Sequence, residues 1–131
     1  MKTAISIFVT CLLASLPLRA QDIRWMDFEA LEDSLERKQK PVVLYFHTDW
    51  CAYCRKMDKR VFTREEVAEL LNEHYYAVKM DAETTDTIYF EGQAFVNRSA
   101  GRKRDGIHEL AQIFSRETGF VAPTFIVLDE N

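Results

Sequence analysis

The sequence predicts an α/β fold in which a central sheet is flanked by helices. Three observations carry this reading. A length of 131 residues with 47% hydrophobic content suits one globular domain. Apolar runs of strand length alternate with segments of helical periodicity, the pattern of layered α/β proteins. The two strongest runs, Val42–Phe46 and Tyr75–Met80, are joined through helical sequence, which sets them parallel at the core of the sheet.

Residues 1–20 stand apart from the fold. Lys2 supplies a charged start, Ala4 to Leu16 is apolar and of secretory length, and Leu18-Arg19-Ala20 offers a small residue for cleavage. The expectation is a signal peptide over 1–20 and a single domain over 21–131. The apolar stretch is short for a membrane span, and nothing later is apolar enough to attempt one. After cleavage no membrane insertion is expected. Export points to the periplasm or the exterior, where unguarded thiols become disulfides. Processing removes Cys11, so two of the three cysteines remain.

Charge excludes one class of partner. Without Lys2 and Arg19 the 17 basic residues fall to 15 against 21 acidic ones, a net charge near −6. Nucleic acid needs concentrated positive charge. The run Arg102-Lys103-Arg104 reads as solvated loop. No nucleic-acid partner is expected.

Ile23-Arg24-Trp25 reads as a short strand. Asp27 caps a helix whose Phe28, Leu31 and Leu35 recur at helical spacing, and Pro41 ends that pattern before the buried strand Val42–Phe46. The pair Cys51 and Cys54 opens a second helix. Thr63-Arg64-Glu65-Glu66 has the form of a capping box, predicting a helix to about His74 with Val67, Leu70 and Leu71 inward. Tyr75–Met80 is the next strand, and residues 82–104 read as a long irregular connection. Ile107, Leu110, Ala111 and Phe114 mark a helix stopped near Gly119. Pro123 leads into the strand Thr124–Leu128, after which Asp129-Glu130-Asn131 is a turn signal.

Two cysteines separated by two residues at a helix start admit three uses. A structural clip closing so short a loop removes only roughly 2 kcal/mol of unfolded-chain entropy. A zinc site wants four ligands, whereas His47, His74 and His108 are scattered and read as ordinary core or surface residues. Redox exchange suits the position better. A helix start presents unpaired N–H groups and the positive end of the dipole, which favour a thiolate. Cys51 is then the attacking sulfur, and Cys54, one turn further in, is shielded but within reach to resolve a mixed disulfide. This chemistry needs neither cofactor nor metal.

The sequence Trp50-Cys51-Ala52-Tyr53-Cys54-Arg55 after a buried strand, with Pro123 before a later one, resembles the thioredoxin superfamily. Lys40-Pro41-Val42, Asp49-Trp50-Cys51, Lys56-Met57 and Val61-Phe62 are similar to secreted bacterial thioredoxin-like proteins. They are also similar to the C-terminal periplasmic domain of the transmembrane thiol:disulfide interchange reductase. The resemblance spans about residues 23 to 129 and implies a thioredoxin-like mixed sheet flanked by helices. It implies the Cys51-Cys54 redox-active disulfide, with Cys51 as nucleophile and Cys54 as resolving thiol. It places Trp50 beside the active-site surface and makes Pro123 a cis-proline after Ala122, in a loop that holds substrate backbone. It puts Lys79 beneath the site, as a proton-transfer candidate together with Tyr45.

Three positions depart from the family pattern. Tyr45 occupies the place of a buried acid that accepts the proton of the resolving cysteine, leaving that role to water or to Lys79 as a neutral amine. Ala52-Tyr53 is neither a Gly-Pro nor a His-containing pair. The family's last strand and helix have no counterpart, so Thr124–Leu128 is expected at a sheet edge of a domain that reads as C-terminally incomplete.

Strong oxidants hold the thiolate with a donor or positive charge inside the motif. Ala52 offers neither, and the Tyr53 hydroxyl is expected to face solvent. The expectation is an exported thiol:disulfide oxidoreductase that reduces or exchanges disulfides of exported proteins. Its own electrons come from a membrane thiol-disulfide donor. The competing reading is a non-catalytic binding module or a copper or zinc carrier on the same fold.

Overall fold

The structure, a computed structural model, describes residues 21–101, 106–117 and 119–129. Residues 1–20, expected as a signal peptide, the run Arg102-Lys103-Arg104 and the residues Glu130 and Asn131, read as a turn signal, lie outside the described residues.

The chain runs β1 (Trp25–Met26), α1 (Phe28–Arg37), β2 (Val42–His47), α2 (Ala52–Arg60), α3 (Glu65–His74) and β3 (Tyr76–Asp81). It continues through β4 (Ile88–Phe90), β5 (Gln93–Phe95), α4 (Glu109–Phe114) and β6 (Thr124–Leu128). The main sheet has four strands in the order β1-β3-β2-β6. β2 and β3 are parallel, as their helical connection requires, and β6 runs antiparallel to β2. The mixed sheet and its flanking helices match the expected class. No described helix is long and apolar enough to cross a membrane.

β2 is buried along almost its whole length because both of its faces are covered. Val42, Leu44 and Phe46 point to one side, where they pack with Phe28 and Leu31 of α1 and with Leu110 and Ala111 of α4. Val43 and Tyr45 point to the other side, against Cys54 of α2 and Ala68 and Leu71 of α3. The period-2 alternation of the strand thus divides the core into two layers, and the cysteines belong to the second.

Local signals account for most boundaries. Asp27 caps α1 by accepting the Ala30 N–H at 2.8 Å. His108 caps α4 from a fully buried position, its Nδ1 accepting the Leu110 N–H at 3.2 Å. Ile23 is a buried core residue just ahead of β1, so the first strand starts two residues later than expected.

Other expectations on the helices need correction. Thr63 does not cap α3. Its hydroxyl donates to the Lys59 carbonyl at 2.9 Å, pulling it back onto the end of α2, and Arg64 is the N-cap with no side-chain capping bond. Glu66 bonds the Arg64 guanidinium at 2.8 Å instead of reaching back to the cap. Leu70 is 52% exposed, because Ala68, Leu71 and Asn72 form the inward stripe of α3. α4 ends at Phe114 with Ser115 as C-cap, ahead of Gly119.

The segment read as irregular over 82–104 contains a hairpin. Glu91 and Gly92 both have positive φ, 50° and 70°, and Phe90 pairs with Gln93 across them. A two-residue loop with both residues left-handed matches the twist of the strands it joins. The hairpin packs on α1, where Phe90 meets Phe28 edge to face at 5.2 Å and the Tyr89 N–H donates to Glu29 at 3.2 Å. It therefore lies over the α1 layer and not along β6, which stays at the end of the sheet order among the described residues.

Candidate redox site

Cys51 is the N-cap of α2, and its Sγ accepts the backbone N–H of Cys54 at 3.0 Å. A helix start leaves that N–H without an intrahelical partner, and the sulfur fills the vacancy. The same geometry holds the two side chains one turn apart on one side of the helix. Cys51 and Cys54 are joined as a disulfide, with Cα atoms 5.2 Å apart, inside the ordinary range for such bridges.

The expected contrast in exposure between the two sulfurs is absent. Cys51 is 3% exposed and Cys54 is 2% exposed. Both belong to the core layer that holds Tyr45, Phe62 and Leu71. What separates them is position: Cys51 sits at the positive end of the helix and receives its N–H bond, whereas Cys54 lies within the first turn.

The neighbouring residues come from the turn before α2, the segment after β3 and the loop that leads into β6. Trp50 is 48% exposed beside the pair, and its indole N–H donates to Glu83 at 3.0 Å. Ala122 packs against the cysteine layer, and the Ala122–Pro123 bond is cis. Thr124, the next residue, pairs with Phe46 near the end of β2 that leads to Cys51. The sheet register thus brings the Pro123 loop to the same end of the domain as the cysteines. Tyr53 is 72% exposed and turned away from the core.

Beneath the helix the chemistry differs from the sequence expectation. Tyr45 is completely buried, and its hydroxyl donates to the Cys54 carbonyl at 3.4 Å. Burial, with the charge of Asp58 adding to it, pushes the Tyr45 phenol up to about 12. It is therefore a neutral donor and no proton acceptor at ordinary pH. Lys79 pairs in register with Tyr45, and its ammonium lies 5.6 Å from the Tyr45 ring centre. The Lys79 Nζ makes an ion pair with Asp58 at 2.8 Å, so the amine offered by the sequence as a proton acceptor is engaged by a carboxylate.

Asp58 and Glu83 are the residues that sequence reasoning missed. Asp58 had a local signal: it falls four residues after Cys54, which places the two on one face of α2. Glu83 had none, since its contact with Trp50 joins the segments that follow the neighbouring strands β2 and β3, 33 residues apart. Among the described residues no three His, Cys, Asp or Glu side chains gather as a metal-ligand set.

A disulfide closed across the first turn of a helix, at the same end of a mixed sheet as a cis-proline loop, defines a thioredoxin-fold redox site. The sequence matches the Thioredoxin-like family over residues 24–101, more than half of its length, and the chain belongs to that family. The disulfide bond reductase DsbH of Chlamydia pneumoniae is 33% identical over 67 residues, covering 50% of this chain and 40% of its own. The chloroplastic thioredoxin Y of Oryza sativa is 34% identical over 61 residues, 47% of this chain and 34% of its own. The thiol:disulfide interchange protein DsbD of Campylobacter jejuni is 29% identical over 55 residues, 42% of this chain and 10% of its own. The chain thus spans well under half the length of these relatives. A solved DsbH oxidoreductase superposes with a TM-score of 0.57 at 21% identity, covering 90% of this chain and 73% of that one. A thioredoxin from Thermus thermophilus gives 0.53 at 21% identity over 82% of this chain and 65% of its own. Both confirm the fold.

Proposed function

We propose that this protein is an exported thiol:disulfide oxidoreductase that reduces or exchanges disulfides of other exported proteins. The observation that carries the reading is the Cys51 sulfur at the head of α2, accepting the Cys54 N–H and bonded to Cys54. In the reduced state that N–H and the helix dipole favour a Cys51 thiolate. The sequence of residues 1–20, with its charged start and short apolar stretch, supports action outside the cytoplasm.

The exchange balances as follows. The Cys51 thiolate attacks one sulfur of a partner disulfide, forming a mixed disulfide and releasing the other partner sulfur as a thiolate. Cys54 gives its proton to the Asp58 carboxylate, which returns it to solvent, and the Cys54 sulfur attacks Cys51. The Cys51–Cys54 bond forms, the second partner sulfur leaves, and solvent protonates both partner thiolates. The partner has gained two electrons and the cysteine pair has lost them. A dithiol on a membrane electron donor returns the two electrons by the same exchange in reverse.

The reducing direction is supported by the motif. Ala52 has no donor, and Tyr53 faces solvent, so neither residue between the cysteines adds a bond to the Cys51 thiolate. A reduced form without that extra stabilisation gives up its electrons more readily. The name of one relative, a disulfide bond reductase, agrees with this direction.

Insulin reduction in the presence of dithiothreitol, followed by turbidity, tests the reading. The wild-type protein should accelerate precipitation and Cys51→Ser should return it to the uncatalysed rate. A folded wild-type protein with no acceleration would favour the binding module.

A further inference from the structure

The outer face of α2 carries a charge pattern that the exchange chemistry does not use. Arg55, Lys56, Lys59 and Arg60 are all exposed, whereas Cys54, Met57 and Asp58 face inward. At helical spacing these four cations form one stripe that begins at Ala52, between the cysteines, and runs down the helix. None of the four forms an ion pair with a carboxylate among the described residues. The neighbouring helix α3, in the same layer, exposes Glu65, Glu66, Glu69 and Glu73. Opposite charges are thus sorted onto adjacent helices of a chain whose net charge is −4.

Helix stability does not explain this stripe. Cations in the last turn complement the dipole, which accounts for Lys59 and Arg60. Arg55 closes the first turn, where the dipole opposes positive charge, and Lys56 is the middle residue of the helix, where neither end favours it. Arg55 does reach back to the Asp49 carbonyl at 2.7 Å, but Lys56 gains no such bond among the described residues.

We propose that this face is a docking surface for acidic segments of the proteins whose disulfides are exchanged, an inference that rests on the oxidoreductase reading above. A nine-residue helix is about 13 Å long at 1.5 Å per residue. An extended partner chain covers that length with about four residues at 3.3–3.6 Å each. The favoured partner therefore carries Asp or Glu within about four residues of its reactive cysteine. Charge of this kind raises encounter rates and is weakened by salt.

Three disulfide-closed peptides of net charge −4, 0 and +4 provide the probes, with neutral 2-hydroxyethyl disulfide as a small control. At low ionic strength the acidic peptide should be reduced about 10-fold faster than the neutral one, with the basic peptide slowest. The advantage should shrink below about 2-fold in 0.5 M salt. In the Lys56→Gln/Lys59→Gln/Arg60→Gln variant it should be lost at all salt concentrations, while the small control keeps its rate.

Equal rates for the three peptides, with the small disulfide still reduced, would overturn docking and leave the enzyme reading intact. A variant that slows the small disulfide as much as the acidic peptide would overturn docking too, because the cations would then be tuning the Cys51 thiolate. Tighter sedimentation of the wild type than of the triple variant with vesicles holding 30% anionic lipid, without any peptide preference, would assign the stripe to a membrane surface instead. Failure to reduce any of the four disulfides would overturn the enzyme reading, and docking with it.

Discussion

Tyr45 and Lys79 face each other across the parallel strands β2 and β3, and the Lys79 ammonium lies 5.6 Å from the Tyr45 ring centre. Asp58 reaches that ammonium from α2 at 2.8 Å. The charge beneath the cysteines thus resides on the Lys79–Asp58 pair, while the residue that replaces the expected strand carboxylate stays neutral. Two of the predictions below follow from this arrangement.

The first concerns alkaline stability. Burial, and then the Asp58 charge, raises the Tyr45 phenol from 10.0 to about 12 in the folded protein. Because the folded value lies above the unfolded one, this stabilisation is whole below pH 10 and is lost as pH rises towards 12. At pH 11 the loss should be about 1.4 kcal/mol. Urea midpoints at pH 9 and pH 11 should therefore fall further for wild type than for Tyr45→Phe. An equal fall in both would show that the phenol keeps its ordinary acidity.

The second concerns the resolving step. Asp58→Asn removes the carboxylate assigned to accept the Cys54 proton, so the mixed disulfide on Cys51 should persist longer. At pH 7 its lifetime, read by acid quenching and mass spectrometry, should rise about 10-fold or more. The difference should narrow as pH rises, because hydroxide then takes the Cys54 proton without the carboxylate. A lifetime unchanged at pH 7 in a folded variant would remove Asp58 from the proton path.

The third separates the two cysteines. Cys54→Ser keeps the attacking sulfur and loses internal resolution, so mixed disulfides with partner proteins should accumulate and be released by added thiol. Cys51→Ser should trap none. The asymmetry cannot rest on exposure, because both residues are almost fully buried as the disulfide. It rests on the helix start, where only the Cys51 sulfur accepts the Cys54 N–H. Partners trapped on Cys51→Ser instead would reverse the roles.

The fourth compares two helix starts. Asp27 makes a capping bond and Thr63 does not. Asp27→Ala should cost about 1 kcal/mol of stability by urea denaturation. Thr63→Ala should cost less than about 0.5 kcal/mol, the range of surface substitutions away from such features. A loss of 1 kcal/mol or more at Thr63 would restore the capping box that its sequence suggests.

These cases show where local pattern and tertiary context part. Asp27, the buried run Val42–Phe46 and the cysteine pair could be placed from sequence because each signal acts within about one helical turn or one strand. Thr63 had the same kind of signal, but the turn between α2 and α3 drew its hydroxyl to the Lys59 carbonyl. Leu70 had helical spacing, yet packing chose Ala68 and Leu71 for the inward stripe. The hairpin Ile88–Phe95 did carry a legible signal: two short apolar, aromatic runs around Glu91-Gly92. Its polar flanks hid that signal within a longer irregular segment.

What the sequence by itself determined is the order of the elements and the setting of the pair. Hydrophobic periodicity and the two-residue spacing place Cys51 at the mouth of α2 and Cys54 one turn inside, and dipole chemistry follows from that placement alone. Only the tertiary structure decided which groups surround the sulfurs. Asp58 and Lys79 are 21 residues apart, Trp50 and Glu83 are 33 apart, and Ala122 reaches the cysteine layer through the antiparallel pairing of β6 with β2. Such contacts depend on strand register and helix packing, which are set by burial across the whole domain. Local spacing carries no record of them.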